Sequence, residues 1–155
     1  MTDLKINDPA PDFALPTDGG GTLSLASQKG MNVVLFFYPK DNTSGCTKEA
    51  IGFSETIDEF ENCNTVVFGV SKDSVKSHDR FVEKQGLKTK LISDEELEII
   101  QGYGVWKEKS MYGRKFMGVE RTTFLIDKEG KIAKIWRKVK VAGHVEEVLE
   151  AAKNL

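Results

Sequence analysis

The strongest hydrophobic signal in the chain is an unbroken run, Val33-Val34-Leu35-Phe36-Phe37-Tyr38, that stops at Pro39. Continuous β-branched and aromatic residues suit a strand covered on both faces, so Asn32 to Tyr38 is predicted to lie at the centre of its sheet. Before it, Phe13 and Leu15 alternate with polar or small residues, Asp18-Gly19-Gly20-Gly21 turns the chain, and Leu23 and Leu25 alternate again. This is the pattern of an N-terminal hairpin over Asp12 to Leu25, with one helical turn from Ala26 to Gly30. From Cys46 onward Ala50, Phe53, Ile57 and Phe60 recur at three- and four-residue spacing, which predicts one helix running to about Glu61. Thr65 to Val70 repeats the buried-strand composition. Asp73 to Gln85 returns to helical spacing through Val75, His78, Phe81 and Val82, and closes at Gly86.

Strand, helix, strand, helix is the grammar of a largely parallel α/β sheet. Leu91-Ile92 reads as a short strand, and Asp94 as the cap of a short helix over Glu95 to Gln101. Val105 to Val119, punctuated by glycine, reads as a loop or an irregular hairpin. Thr122 to Ile126 and Lys131 to Val139 are two strands that the turn Asp127-Lys128-Glu129-Gly130 pairs antiparallel, and Gly143 to Leu155 is a closing amphipathic helix.

Length and charge narrow the function. A chain of 155 residues is expected to form one domain, residues 1–155, around a single sizeable core. A formal charge of -2, from 22 basic and 24 acidic residues, argues against a nucleic-acid footprint or a membrane-surface helix. No apolar run is long enough to span a bilayer, and Met1-Thr2-Asp3-Leu4-Lys5 lacks the basic and apolar blocks of a leader, so a cytoplasmic protein is expected. The two cysteines, Cys46 and Cys63, form neither a CxxC pair nor part of a metal-ligand cluster, and no metal or cofactor is expected.

Chemistry concentrates where the central strand ends. Pro39, Thr43 and Cys46 form a Pro-x-x-x-Thr-x-x-Cys pattern at a strand-to-helix turn. Unpartnered N–H groups in a helix's first turn carry partial positive charge and favour a thiolate over a thiol. Pro39 ends the strand's hydrogen bonding and can shield the sulfur from water, and the Thr43 hydroxyl is close enough to reach the sulfur or an oxygen bound beside it. Gly45 permits close backbone approach where the helix starts. The turn itself carries no cation fit for the role.

With Tyr103-Gly104-Val105-Trp106, Met111-Tyr112-Gly113, Arg121-Thr122-Thr123-Phe124-Leu125-Ile126-Asp127 and Trp136 to Val141, this stretch resembles the peroxiredoxins, and among them the bacterioferritin-comigratory (peroxiredoxin Q) subfamily. The resemblance implies a thioredoxin-like fold: a central mixed sheet flanked by helices, with an N-terminal hairpin. It implies a thiol-dependent peroxidase in which Cys46 attacks hydrogen peroxide or an organic hydroperoxide to give a sulfenic acid, with Pro39, Thr43 and Arg121 around it. Arg121 then supplies the missing cation. The implied partners are a hydroperoxide and an external thiol such as thioredoxin or glutaredoxin, and the chain is expected to be a monomer or weak homodimer.

Two departures stand out. The subfamily's proline before the Gly-Cys pair is Ser44 here, and the common resolving cysteine five residues after the first is Ile51. On a single helix Cys63 would lie about 25 Å from Cys46 along the axis, against the roughly 7 Å between Cα atoms that a disulfide allows. A one-cysteine cycle is therefore expected, with an intermolecular bridge through Cys63 still open. A redox sensor that signals through Cys46 without turnover uses the same residues. A disulfide reductase is disfavoured because Thr43 stands where CxxC needs its first cysteine.

For the remaining residues plainer roles are expected. Cys63 is read as a small buried hydrophobe, and His78 and His144 as surface or capping residues. Trp106 and Met117 are read as loop packing ahead of a substrate groove, and Glu49 as a first-turn residue that can also set active-site hydrogen bonds. Lys138-Val139-Lys140 is read as charge protecting an edge strand.

Overall fold

A computed structural model describes residues 4–155. Met1 to Asp3, the start of the segment read as lacking a leader, lie outside the described residues. The centre is a five-stranded sheet in the order β5-β4-β3-β8-β9, built from β3 (Asn32–Phe37), β4 (Thr65–Ser71), β5 (Lys90–Ser93), β8 (Thr122–Ile126) and β9 (Ile132–Trp136). β3 pairs parallel with β4 and antiparallel with β8, so the unbroken apolar run is the middle strand, as its composition requires. Val34, Phe36 and Tyr38 point into one core with α1 (Ser44–Glu55), α2 (Ile57–Asn62), α3 (Val75–Gln85) and α5 (His144–Lys153). Val33, Leu35 and Phe37 point into the other, against the N-terminal hairpin β1 (Ala14–Pro16) and β2 (Thr22–Ser24) and the short α4 (Glu98–Gly102). This is the mixed-sheet, thioredoxin-like architecture with an N-terminal hairpin that the sequence implies.

Four local expectations are corrected. The helix expected from Cys46 to Glu61 starts at Ser44 and breaks at Thr56 into α1 and α2. Its cause is local: the Thr56 hydroxyl donates back to the carbonyls of Gly52 (2.9 Å) and Phe53 (3.2 Å), and the chain leaves helical geometry there. Asp94 caps a helix as expected, accepting from the N–H groups of Glu98, Ile99 and Ile100, but residues 95–97 form a turn and α4 begins only at Glu98. Val105 to Val119 is a regular hairpin, β6 (Trp106–Met111) against β7 (Arg114–Val119), in continuous register from Trp106↔Val119 to Met111↔Arg114. Its turn residues, Tyr112 and Gly113, both have positive φ, which matches the twist of a two-residue hairpin loop. Trp106 packs on the second core, whereas Met117 is exposed. Lys138 to Lys140 lie beyond the end of β9 rather than on an edge strand.

The sheet's density fixes one glycine. A Cβ on Gly69 in β4 would come within 2.7 Å of Phe36 Cζ and 2.9 Å of Leu91 Cδ2, so both neighbouring side chains use the space that hydrogen leaves. Gly69→Ala is expected to cost about 1–3 kcal/mol through overpacking, seen as a lower denaturation midpoint with an unchanged slope in urea. An unchanged midpoint would contradict this packing.

Candidate active site

The ladder of β3 continues through Tyr38, whose N–H donates to the Val70 carbonyl at 3.0 Å, and Pro39 then turns the chain away from the sheet. The turn lies between Tyr38 and the start of α1. Thr43 stands at the helix N-cap with extended backbone, and its hydroxyl donates to the Lys40 carbonyl at 2.9 Å rather than to sulfur. Cys46 is the third helical residue, inside the first turn, and is 1 % exposed. Glu49 follows three residues later on the same helix face and is completely buried.

Arg121 arrives from the far side of the chain because β8 is antiparallel to β3: Thr122 pairs with Phe37, so β8 begins where β3 ends. Its Nη2 donates to Cys46 Sγ at 3.3 Å and its Nη1 to Glu49 Oε1 at 2.6 Å. Gly45 makes room for it, since a Cβ there would sit 3.1 Å from Nη2. The guanidinium thus spans sulfur and carboxylate with two prongs of one rigid fork, a geometry that lysine cannot reproduce. Burial works against the arginine's charge, but Glu49 and the sulfur outweigh it and hold Arg121 above its ordinary value.

Chains similar to this one in sequence and fold are known. Residues 6–135 match the AhpC/TSA family. The chain is 50% identical over 146 residues, 94% of this chain and 97% of its relative, to a putative peroxiredoxin bcp of Coxiella burnetii, and 45% identical over 152 residues (98% and 97%) to peroxiredoxin Bcp of Bacillus subtilis. This chain is a peroxiredoxin of the Bcp/PrxQ subfamily. Solved structures agree: a cysteine-to-serine mutant of Xylella fastidiosa PrxQ superposes with a TM-score of 0.94 at 40% identity, covering 99% of this chain and 98% of that one. Xanthomonas campestris peroxiredoxin Q superposes at 0.88 with 45% identity, covering 92% and 90%. Membership makes this peroxiredoxin a thiol-dependent peroxidase, with a hydroperoxide as substrate and an external thiol as reductant. Among the described residues no helix is long and apolar enough to cross a membrane.

The two histidines expected to be surface or capping residues are both buried. His78 lies in the apolar stripe of α3, and His144 opens α5 with its ring edge-on to Phe53 and Trp136. His144 Nε2 bonds Thr123 Oγ1 at 2.8 Å and stands 4.0 Å from Glu49 Oε2, an oxygen with no hydrogen-bond partner among the described residues. A histidine at an apolar helical position was the available signal, since a core takes in an imidazole only if it also supplies a partner. Glu49 does join the active-site hydrogen bonds. Cys63, by contrast, is half-buried, its Sγ 3.3 Å from the Phe60 carbonyl and 3.6 Å from Thr65 Oγ1.

Burial moves the two groups behind Arg121 in opposite senses. It raises Glu49 from 4.5 to about 7 despite the opposing pull of Arg121. It lowers His144 from 6.5 to about 4, with Arg121 adding to the effect. The folded protein therefore holds more protons on Glu49 than the unfolded chain between about pH 4.5 and 7, so that residue's contribution to stability falls as pH rises. His144 binds fewer protons when folded between about pH 4 and 6.5, so its contribution rises with pH. The two slopes oppose each other in the wild type. Thermal unfolding across pH 4–7 is expected to show stability climbing more steeply with pH in Glu49→Gln than in wild type, and less steeply in His144→Asn. Parallel pH profiles for all three would contradict this assignment.

Proposed function

We propose that Cys46 is the peroxidatic cysteine of a one-cysteine cycle that reduces hydrogen peroxide and organic hydroperoxides. The observation that carries this is the Arg121 Nη2 donor 3.3 Å from Cys46 Sγ. In the first half-reaction the thiolate's electron pair attacks the terminal peroxide oxygen, the O–O bond breaks, and the leaving oxygen takes a proton and departs as water or an alcohol. Negative charge moves from sulfur toward that oxygen. A fixed cation and first-turn N–H groups along the path favour the transition state over the ground state. Thr43 donates its hydroxyl proton to the Lys40 carbonyl, so its oxygen lone pairs serve as the acceptor for the hydroperoxide's own O–H. Pro39, half-buried beside the turn, keeps bulk water from the sulfur. The bacterioferritin comigratory protein of Xanthomonas campestris, solved as trapped intermediate and ligand complexes, has alkyl peroxide reduction activity, which supports organic hydroperoxides as substrates here.

In the second half-reaction an external thiol attacks the sulfenic sulfur, forming a mixed disulfide and releasing water, and a second thiol frees Cys46. A dithiol protein of the thioredoxin or glutaredoxin type supplies both equivalents. Ile51 offers no sulfur of its own. The break at Thr56 removes the single-helix distance argument against Cys63, but sheet topology replaces it. Cys63 lies just before Thr65, which pairs with Asn32 at the start of β3, whereas Cys46 follows the end of that strand, about 17 Å away for six residues. The same reading takes the chain as one cytoplasmic domain, monomeric or weakly dimeric.

Cys46→Ser is expected to abolish rapid peroxide consumption, while Cys63→Ser keeps the wild-type rate of first oxidation. Mass spectrometry after one equivalent of peroxide is expected to find one added oxygen on Cys46 and no Cys46–Cys63 bond within a chain. Equal single-turnover rates for wild type and Cys46→Ser would overturn the assignment. An intramolecular bridge would overturn the one-cysteine cycle. Consumption that halts after one equivalent with thiol in excess would favour the sensor reading.

A further inference from the structure

The turn before Cys46 is held from behind by a buried ionic cluster that the peroxide chemistry does not use. Asp41, 5 % exposed, receives three donors on its carboxylate: the Tyr38 hydroxyl at 2.6 Å, the Ser77 hydroxyl at 2.8 Å and His78 Nδ1 at 2.7 Å. Its backbone N–H donates to Asp73 Oδ2 at 2.8 Å, and the Ser71 hydroxyl donates to that same oxygen at 2.7 Å. The other ring nitrogen of His78, Nε2, lies 3.0 Å from the Ile92 carbonyl of β5. Both neighbours of this fully buried ring are acceptors only. A neutral imidazole has one N–H and would turn a lone pair toward either a carboxylate or a carbonyl, so the arrangement is complete only when both nitrogens carry protons. Through Asp41 the turn that follows Tyr38 is thereby fastened to α3, to the segment between β4 and α3 and, by way of His78, to β5.

We propose that His78, as an imidazolium, is a positioning residue for the peroxidase reaction, and that loss of its proton releases the 38–43 turn and with it the start of the helix around Cys46. This rests on the reading of Cys46 as peroxidatic. Cys46 is 1 % exposed, so whatever sets the tightness of this turn sets how long the sulfur stays under Arg121 and how readily a reductant reaches it. The charged and titratable groups facing His78 are Asp41 from the turn after β3, Asp73 from the turn after β4, and the Tyr38 hydroxyl through Asp41. Burial opposes charge on His78, but the hydrogen bond and the charge of Asp41 outweigh it and raise it above the ordinary histidine value. Tyr38 is held well above its own ordinary range, first by burial and then by Asp41, and so remains a donor throughout. A raised folded value means that the clamp is complete below the unfolded value of about 6.5 and is lost as pH rises through the folded one.

The experiment follows the His78 ring nitrogens by NMR while amide exchange at residues 40–47 and single-turnover peroxide oxidation are measured across the same pH range. At neutral pH both ring nitrogens are expected to be protonated. As the ring titrates, exchange in 40–47 accelerates by roughly tenfold or more, the scale set by losing buried hydrogen bonds to charge, and the oxidation rate falls with it. His78→Asn and, separately, Asp41→Asn are expected to show the fast exchange at all pH values and to lose this alkaline transition. A singly protonated ring at neutral pH, or a wild-type transition that survives in either variant, would overturn the proposal. Exchange measured on Cys46→Ser needs no peroxidase activity, so the clamp can fail or stand independently of the assignment of Cys46.

Discussion

A single guanidinium organises this molecule. Arg121 touches the Cys46 sulfur with one prong and the Glu49 carboxylate with the other, at 3.3 and 2.6 Å, with its own side chain only 17 % exposed. Charge in such a place is costly unless every group around it is matched, and here each makes another tolerable. The carboxylate and the sulfur together keep the arginine charged, and the arginine satisfies both groups inside the core cluster. Glu49 bears the cost, pushed up to about 7 by its burial, with His144 kept neutral beside it.

The sheet topology makes the contact possible. β3 and β4 run parallel, so α1 starts at the carboxyl end of β3, just after the turn at Pro39. β8 runs antiparallel to β3, so its first residues reach that same edge and deliver Arg121 there. The same topology keeps the two cysteines apart, because α1 and α2 carry the chain back to the opposite end of β3 before Cys63. Two supports then hold the start of α1: Arg121 and Glu49 on the sulfur side, and the Asp41–His78 cluster on the turn behind it. A thiol that must be both sheltered for attack and later reachable by a second thiol requires supports strong enough to define it and local enough to release it.

Much of this was legible in the residues. The unbroken run from Val33 to Tyr38 marked the central strand, its halt at Pro39 marked the strand-to-helix turn, and the spacing of Pro39, Thr43 and Cys46 singled out Cys46 as the candidate thiol. What escaped was set by single side chains or by long-range pairing. The break at Thr56 comes from a hydroxyl that found carbonyls one turn back, a choice that helical periodicity does not record. The hairpin over 106–119 alternates weakly because most of its residues face solvent, so its regularity depends on the Tyr112-Gly113 turn. His78 and His144 looked like surface or capping residues because their partners lie far away in sequence: Asp41 and Ile92 for the first, Thr123 and Glu49 for the second.

In this mechanism the reactivity of Cys46 depends on the forked contact of Arg121 rather than on positive charge alone, and Arg121→Lys separates the two. Single-turnover oxidation of Cys46 by hydrogen peroxide, measured in a variant confirmed to be folded, is expected to slow by at least about tenfold, the scale of losing one charge-assisted donor to the reacting atoms. A lysine variant that oxidises at the wild-type rate would contradict the central claim.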